Sequence, residues 1–496
     1  MRIVIRVDGG ALIGGGHIVR CLTLAEGARG RGHDVVFVCM KDAMTSYLTR
    51  KSFEVVEIMP QDFVPETSPT HVAWLRLPWD IDAARTAEIV LGCRADWLIW
   101  DHYGLDARWV GAIQKHTAVK TLAIDDLDDR ALGADLVLDQ TRLNGSRTYA
   151  GSPAMIGPSF ALLRPEFAQT REAALARMNG PVRRIIVTPG LMDAAGLALL
   201  ALDALEDWDG EVEVVMGHAS QSRAAVEQRV AGRTGWYLTL DTPDMPERLA
   251  VADLCIGAAG MSTWERCCLG LPTVVVGVAA NQMPLCQAID ERGAAICLPL
   301  DDARSVQRLK AAVDAAIDQT EDMARAAAQL CDGKGTERVL DCLEANLRPL
   351  TRDDTRHIFD WRSSPHVQNA SLTQTHFSFD SHLVWMNQVL NRTDGLWRIY
   401  EEGLPIGFVS AVDHGSGVWL WNFYLGARET HKGAGGRMLA WFLQEIWRDT
   451  ACERIKAVVL TGNAASQALH LKLGFRQIDN ADKGQLLYVL DRPDNN

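Results

Sequence analysis

The sequence predicts an α/β chain: two doubly wound parallel lobes, then a smaller α+β domain. Three observations predict it. Short runs of Val, Ile and Leu alternate with amphipathic segments up to about residue 160. The same alternation recurs from about 180 to 345. From Leu347 onward tryptophan becomes frequent and strand-like runs follow one another directly. A chain of 496 residues has room for two to four domains. The boundaries are read as 1–165, 166–346 and 347–496, with Arg348-Pro349-Leu350 as the last joint.

In the first lobe the expected strands are Ile3–Val7, Asp34–Cys39, Phe53–Ile58, Trp97–Trp100, Thr121–Ile124 and Leu136–Leu138. Helical periodicity runs from His17 to Arg31 and from Asp80 to Gly92. In the second, Arg184–Val187, Val212–Val215, Leu254–Ile256 and Thr273–Val276 read as strands, and Gly196–Leu205, Ala303–Ile317 and Glu321–Cys331 as helices. Ligands of such sheets sit beyond the carboxyl ends of the strands. Polar residues gather there: Arg6 and Asp8, then Asp101-His102-Tyr103, then Asp125-Asp126. In the third domain Trp397–Tyr400, Gly407–Val412 and Val418–Leu425 read as adjacent strands and Gly433–Arg448 as a helix.

The formal charge of −13 argues against nucleic acid or an anionic membrane as partner, but leaves room for a small anionic ligand. No apolar run is long enough to cross a bilayer, and Met1–Ile5 enters a strand at once, without space for a signal peptide. The eleven cysteines show no CxxC pair and no ligand spacing with histidine, so they read as reduced thiols of a cytoplasmic protein without a metal site.

Two loops carry chemistry. Gly14-Gly15-Gly16-His17 joins the first strand to its helix. Glycines there let the backbone approach an anion, the helix N-terminus offers free N–H groups, and the histidine can move a proton near neutral pH. In the second lobe Gly257-Ala258-Ala259-Gly260-Met261-Ser262-Thr263-Trp264-Glu265 follows a strand and opens a helix. It reads as a capping box whose hydroxyls and N–H groups can hold a diphosphate while Glu265 accepts ribose hydroxyls.

Taken together, Arg6, Asp8, Ile13-Gly14, Gly16-His17, Arg20-Cys21, Asp101 to Asp106, Ile124 to Leu127, Asp139-Gln140, Ala161 to Pro165, Gly257 to Glu265, Cys267 to Pro272 and Asn281-Gln282 resemble one family. It is the UDP-2,4-diacetamido-2,4,6-trideoxy-β-L-altropyranose hydrolases of pseudaminic acid biosynthesis, relatives of the UDP-GlcNAc transferase of murein synthesis. The resemblance covers roughly residues 1–345 and implies a GT-B type pair of Rossmann-like lobes releasing UDP to water. It implies His17 as the base. Asp8, at the end of the first strand, is read from its place as orienting His17, binding sugar or capping a turn. Arg6, Gly14, Gly16, Asp101, His102, Tyr103 and Asp125 are implied for the sugar, and Gly260, Ser262, Thr263, Glu265, Asn281 and Gln282 for UDP. Two turns depart from the pattern: Thr188 to Asp193, where only Gly190 and Asp193 are retained, and the glycine-richer Asp8 to Ile13.

The third domain carries Phe423-Tyr424-Leu425, Thr430 to Gly436, Asn463 to Ser466 and Leu471 to Phe475. These motifs resemble the GNAT acetyltransferases, and Leu347 to Val367 is similar to their pseudaminic acid branch and to its ribosomal-protein-acetylating relatives. The resemblance implies acetyl-CoA as co-substrate, held by Tyr424, Leu425, Lys432, Gly433, Ala434, Gly435, Gly436 and Asn463. It sets His470 where relatives carry the tyrosine that protonates the departing thiolate. Thr430 and Gln368 depart from the usual basic or amide residues. The implied partners are a UDP-amino sugar and acetyl-CoA, consumed in consecutive steps. The competing reading is a GT-B glycosyltransferase fused to a protein N-acetyltransferase.

Overall fold

The computed structural model describes residues 1–10, 13–41, 45–143, 149, 152–177, 180–372, 377–427, 430–480 and 484–493. Ala11 and Leu12 of the glycine-rich first turn lie outside them. The chain forms two compact units, Met1–Leu340 and Asp341–Asn496.

The first unit holds two parallel sheets. One comprises β1 (Arg2–Val7), β2 (Asp34–Met40), β3 (Glu54–Ile58), β4 (Trp97–Asp101), β5 (Lys120–Ile124), β6 (Leu136–Asp139) and β7 (Ala154–Ile156), in the order β3-β2-β1-β4-β5-β6-β7. Ile3, Val4, Ile5 and Val7 are all buried, as both faces of a helix-covered parallel strand must be. The other comprises β8 (Arg184–Thr188), β9 (Glu211–Met216), β10 (Trp236–Leu240), β11 (Leu254–Ala258), β12 (Thr273–Gly277) and β13 (Ile296–Pro299), in the order β10-β9-β8-β11-β12-β13. In both sheets the order reverses beside the first strand, opening a crevice at the carboxyl ends. The helix Gly335–Leu343 returns to the first lobe: a Cβ on Gly27 would stand 2.9 Å from Thr336 Cγ2.

Two expectations change. Cys286 and Cys297 are joined as a disulfide rather than reduced, because the helix Met283–Asp290 and β13 bring their Cα atoms to 5.5 Å. Arg348-Pro349-Leu350 is not a linker. Arg348 and Pro349 lie in β14 (Asn346–Pro349), and Arg348 pairs with Asp354 (2.7 Å) and Glu401 (2.7 Å).

In the second unit β14 pairs with β15 (Gly395–Glu402), followed by β16 (Leu404–Asp413), β17 (Val418–Leu425), β18 (Arg454–Leu460), β19 (Arg476–Asn480) and β20 (Gln485–Asp491). The order is β14-β15-β16-β17-β18-β20-β19. β17 and β18 are parallel and pair only from Val418 to Leu420 with Arg454 to Lys456, so beyond that point they part. The helix Ala434–Asp449 follows β17. Among the described residues no helix is long and apolar enough to cross a membrane.

Candidate functional site

The turn after β1 closes on itself. Gly10 and Gly14 exchange backbone hydrogen bonds (Gly10 N to Gly14 O, 3.2 Å; Gly14 N to Gly10 O, 2.7 Å), and Gly14 takes φ +84°. A side chain there would be strained. At Gly16 a Cβ would meet nothing within 4 Å. The helix Gly16–Gly30 starts from Gly15 without a side-chain cap among the described residues, leaving its first N–H groups for a ligand.

His17 sits in that first turn. Its Nδ1 lies 2.6 Å from Asp101 Oδ1, because β1 and β4 run in register with Val7 opposite Asp101. Arg20, one helical turn on, donates to the same carboxylate through Nε (2.5 Å) and Nη2 (2.6 Å). Burial alone would push the Asp101 carboxyl up, but Arg20 and then His17 hold it well below the usual range. An ionised Asp101 keeps the proton on Nδ1 and the lone pair on Nε2, which has no partner among the described residues. Tyr103 packs edge-on against His17 with ring centres 4.7 Å apart, and Trp74 at 5.8 Å.

The orienting carboxylate is therefore Asp101, not Asp8. Asp8 belongs to a buried cluster: Arg6 donates to it (2.6 and 2.9 Å) and to Asp82 (2.7 Å), and Met40 N donates to Asp8 Oδ1 (2.7 Å). Burial works against the Asp8 charge, but the Arg6 guanidinium holds its carboxyl below the ordinary value. Arg6 is fully buried and saturated by two carboxylates, so it positions the strand end rather than touching a sugar. His102 is also buried. Its Nδ1 accepts from Gly104 N (3.1 Å), its Nε2 faces Asp8 Oδ2 at 3.5 Å, and burial pushes its pKa down to about 4. It is a neutral spacer between the cluster and the site.

Asp125 also holds backbone, accepting from Leu127 N (3.1 Å) and Asp128 N (3.0 Å), with Arg130 Nη1 2.8 Å from its other oxygen. The half-exposed Asp126 closes the site by accepting from the Tyr103 hydroxyl and facing Arg20 Nη1 at 3.4 Å. The sequence reading missed His71 and Trp74. His71 caps and Trp74 ends the short 3-10 turn Val72–Trp74, where Trp74 stacks on Tyr103 at 5.3 Å. An isolated turn has no periodicity to reveal it.

In the second lobe, Gly260 (φ +144°) leads into the helix Ser262–Cys268. The expected capping box is absent: Met261 is the N-cap, without a side-chain bond among the described residues. The Thr263 hydroxyl accepts from Gly260 N (3.3 Å), and both hydroxyls also serve Arg266. This buried guanidinium donates to Ser262 Oγ (3.1 Å), Thr263 Oγ1 (3.1 Å), Thr188 Oγ1 (3.2 Å) and Ala258 O (3.0 Å). A Cβ on Gly257 would come within 2.6 Å of Arg266 Nη1. Arg266 thus welds the loop to β8 and β11. Its signal was a lone arginine four residues after Ser262, on a helix whose residues on either side of it are Glu265 and Cys267.

Glu265 is half-buried, and its carboxylate has no hydrogen-bond partner among the described residues. Burial pushes its carboxyl up against the pull of Arg164 and Arg266. Gln282 Oε1 accepts from Val278 N (3.1 Å), and its Nε2 is 3.9 Å from where a Gly260 Cβ would stand. Asn281 is exposed beside it. Of the departing turn, Gly190 takes φ +95°, and Asp193 is used internally, by Ser222 Oγ and Ala198 N.

In the second unit Gly433 is left-handed (φ +84°) and opens the helix Ala434–Asp449. Lys432 is exposed beside it. Gly435 and Gly436 have no nearer neighbour for a Cβ than Leu425 and Leu469 methyls at 3.6 and 3.7 Å. Tyr424 stacks on Phe408 at 5.3 Å, and its buried hydroxyl lacks a partner among the described residues. Asn463 caps the helix Ala464–Lys472 by accepting from Ser466 N (3.1 Å). Both ring nitrogens of His470, the expected acid, are engaged. Its Nδ1 donates to Ser466 O (2.7 Å) and its Nε2 accepts from the Trp421 indole (3.1 Å), inside a wall of Phe423, Phe475 and Tyr488. Burial lowers its pKa, so it is a satisfied core histidine.

Cys342, Glu402 and His431 bring potential metal-ligand atoms within 4.8 Å of one another. Glu402, however, is taken by Arg437 through both oxygens (2.7 and 3.0 Å) and by the Tyr400 hydroxyl (2.6 Å). A cation would have to displace a buried guanidinium, so the donor set does not fit a metal.

Comparison with known proteins agrees with this geometry. Residues 184–340 match the glycosyltransferase family 28 C-terminal domain, and residues 345–476 match the acetyltransferase (GNAT) domain. The Bacillus subtilis spore coat polysaccharide biosynthesis protein SpsG is 26% identical over 317 residues, 61% of this chain and 85% of the relative. An uncharacterized protein of Methanocaldococcus jannaschii is 20% identical over 99% of this chain and 100% of its own. The crystal structure of Acinetobacter baumannii MurG superimposes with a TM-score of 0.53 at 15% identity, over 69% of this chain and 99% of that one. The chain is thus a GT-B-like pair of Rossmann-like lobes, the second a glycosyltransferase family 28 C-terminal domain, fused to a GNAT acetyltransferase domain.

Proposed function

We propose that the chain is a bifunctional nucleotide-sugar enzyme. The GNAT domain transfers acetyl from acetyl-CoA to the 4-amino group of UDP-4-amino-4,6-dideoxy-N-acetyl-β-L-altrosamine. The GT-B-like unit then hydrolyses UDP-2,4-diacetamido-2,4,6-trideoxy-β-L-altropyranose to UDP and the free sugar. The observation that carries the second step is the His17–Asp101 pair at a helix N-terminus (2.6 Å).

Water attacks the anomeric carbon, its proton passes to Nε2 of His17, and the bond from that carbon to the UDP oxygen breaks with its electrons leaving on the diphosphate. Asp101 stabilises the imidazolium that forms, a positioned base being worth roughly 10²- to 10⁴-fold. The N–H groups at the Gly16 and Ser262 helix starts suit the departing charge. Glu265, Asn281 and Gln282 suit the nucleoside, and Trp74 with Tyr103 suits an apolar face of a deoxy sugar. In the GNAT domain, the Asn422–Leu425 end of β17, paired with β16 but parted from β18 on its other side, and the Gly433–Gly436 turn suit the pantetheine and pyrophosphate of acetyl-CoA.

The test is a coupled assay of the full chain with UDP-4-amino-4,6-dideoxy-N-acetyl-β-L-altrosamine, with and without acetyl-CoA, following free CoA and free UDP. The expected result is CoA release followed by UDP release that needs acetyl-CoA. CoA without UDP overturns the hydrolase reading. Transfer of the sugar from UDP to a sugar or lipid acceptor, with acetyl passing only to protein amines as CoA is released, favours a glycosyltransferase fused to a protein acetyltransferase.

A further inference from the structure

The Gly433–Gly436 turn lies over a buried ion cluster that nothing in the acetyl-transfer chemistry requires. Glu402 ends β15, and Arg437 lies in the first turn of the helix that the glycines open. Arg437 is fully buried, and Glu402 and Tyr400 nearly so. Besides its two contacts to Glu402, Arg437 Nη1 donates to Lys432 O (3.0 Å), the carbonyl just before the left-handed Gly433. His431 Nδ1 stands 3.2 Å from Glu402 Oε2, so two consecutive residues of the turn are held from beneath by one carboxylate–guanidinium pair. Burial would raise the Glu402 carboxyl, but His431 and Arg437 hold it at about 2.

A buried ion pair is weak support for stability, since apolar residues of similar volume often do as well. Its geometric effect is specific. A carbonyl turned outward from this loop would face the cofactor's diphosphate and repel it, whereas a carbonyl bound to a buried guanidinium leaves the outward side to N–H groups. We propose that Glu402 and Arg437 are positioning residues for the cofactor diphosphate. They turn the Lys432 carbonyl inward so that the glycine N–H groups of the turn are presented as donors, that of Ala434 being bonded to His431 O (3.0 Å). This rests on the acetyl-CoA reading above.

The test measures CoA binding by titration calorimetry, and acetyl-transfer kinetics, on the full chain. Wild type is compared with Glu402→Gln and with the double variant Glu402→Leu/Arg437→Met. The double variant removes both charges together and keeps the packing volume. The expected result for both is CoA affinity weaker by roughly tenfold. The KM for acetyl-CoA rises in parallel, while kcat at saturation and the KM for the amine stay within about twofold. A folded double variant that binds CoA like wild type overturns the proposal, as does a fall in kcat with unchanged CoA affinity. Wild type that binds no CoA overturns the cofactor reading itself, and this proposal with it.

Discussion

His17 and His470 are both buried imidazoles on the first or last turn of a helix, each walled by aromatic rings, and they stand in opposite chemical states. His17 spends one nitrogen on Asp101 and keeps the other unpartnered among the described residues. His470 spends both, on Ser466 O and the Trp421 indole. The difference is not burial or residue type but what each ring nitrogen finds. A carboxylate at Nδ1 builds a base at Nε2, whereas a carbonyl and an indole N–H build a core contact.

That contrast breaks most sharply at His17. His17→Ala should lower UDP release by about 10³-fold without altering acetyl transfer. Asp101→Asn should cost about 10²-fold, because an amide can hold the wrong tautomer. Steady-state UDP release against an unchanged thermal melt checks both, and a variant that keeps more than a tenth of the wild-type rate removes the residue from the mechanism. Glu265→Gln should act on binding: KM for the UDP-sugar about tenfold higher, kcat within twofold. A kcat loss with unchanged KM would move Glu265 out of the nucleoside site.

His102 sharpens the comparison through pH. Its pKa of about 4 in the fold lies below the unfolded value of about 6.5, so the unfolded chain binds the extra proton between them. The stability His102 contributes is present above about pH 6.5 and is lost as pH falls toward 4. The loss is roughly 3 kcal/mol in all, shared in direction by the buried His470 and His382. Denaturant unfolding from pH 7 to 4 should show the fall, and His102→Gln should flatten part of it. An identical slope in the variant would contradict the assignment.

The smallest effect belongs to His470. His470→Asn should keep kcat for acetyl transfer within about threefold while costing about 1–3 kcal/mol of stability. A hundredfold loss of kcat with an unchanged melt would restore it as the acid.

The strands of the two lobes and the Gly14–His17 loop were legible because parallel strands carry unbroken apolar runs and glycine punctuates turns. β10, β18 and β19 were not, since Thr, Lys or Gln breaks their apolar pattern, and β13 is only four residues long. The site was legible as a set of strand-end polar residues, but not as partnerships. Asp8 and Asp101 end different strands, and only the register of β1 with β4 decides which meets His17. Arg6 reads as a ligand group until its buried acceptors are seen. The Cys286–Cys297 pair joins a helix to the following strand, a closeness that spacing does not encode.

The central claim is that His17 delivers water to the anomeric carbon. The most direct measurement is hydrolysis of UDP-2,4-diacetamido-2,4,6-trideoxy-β-L-altropyranose by the full chain in ¹⁸O-labelled water, with mass analysis of both products. The account predicts one labelled oxygen in the free sugar and none in UDP, lost together with turnover in His17→Ala. Label in the UDP phosphate, or labelled sugar still released at the wild-type rate by that variant, would contradict it.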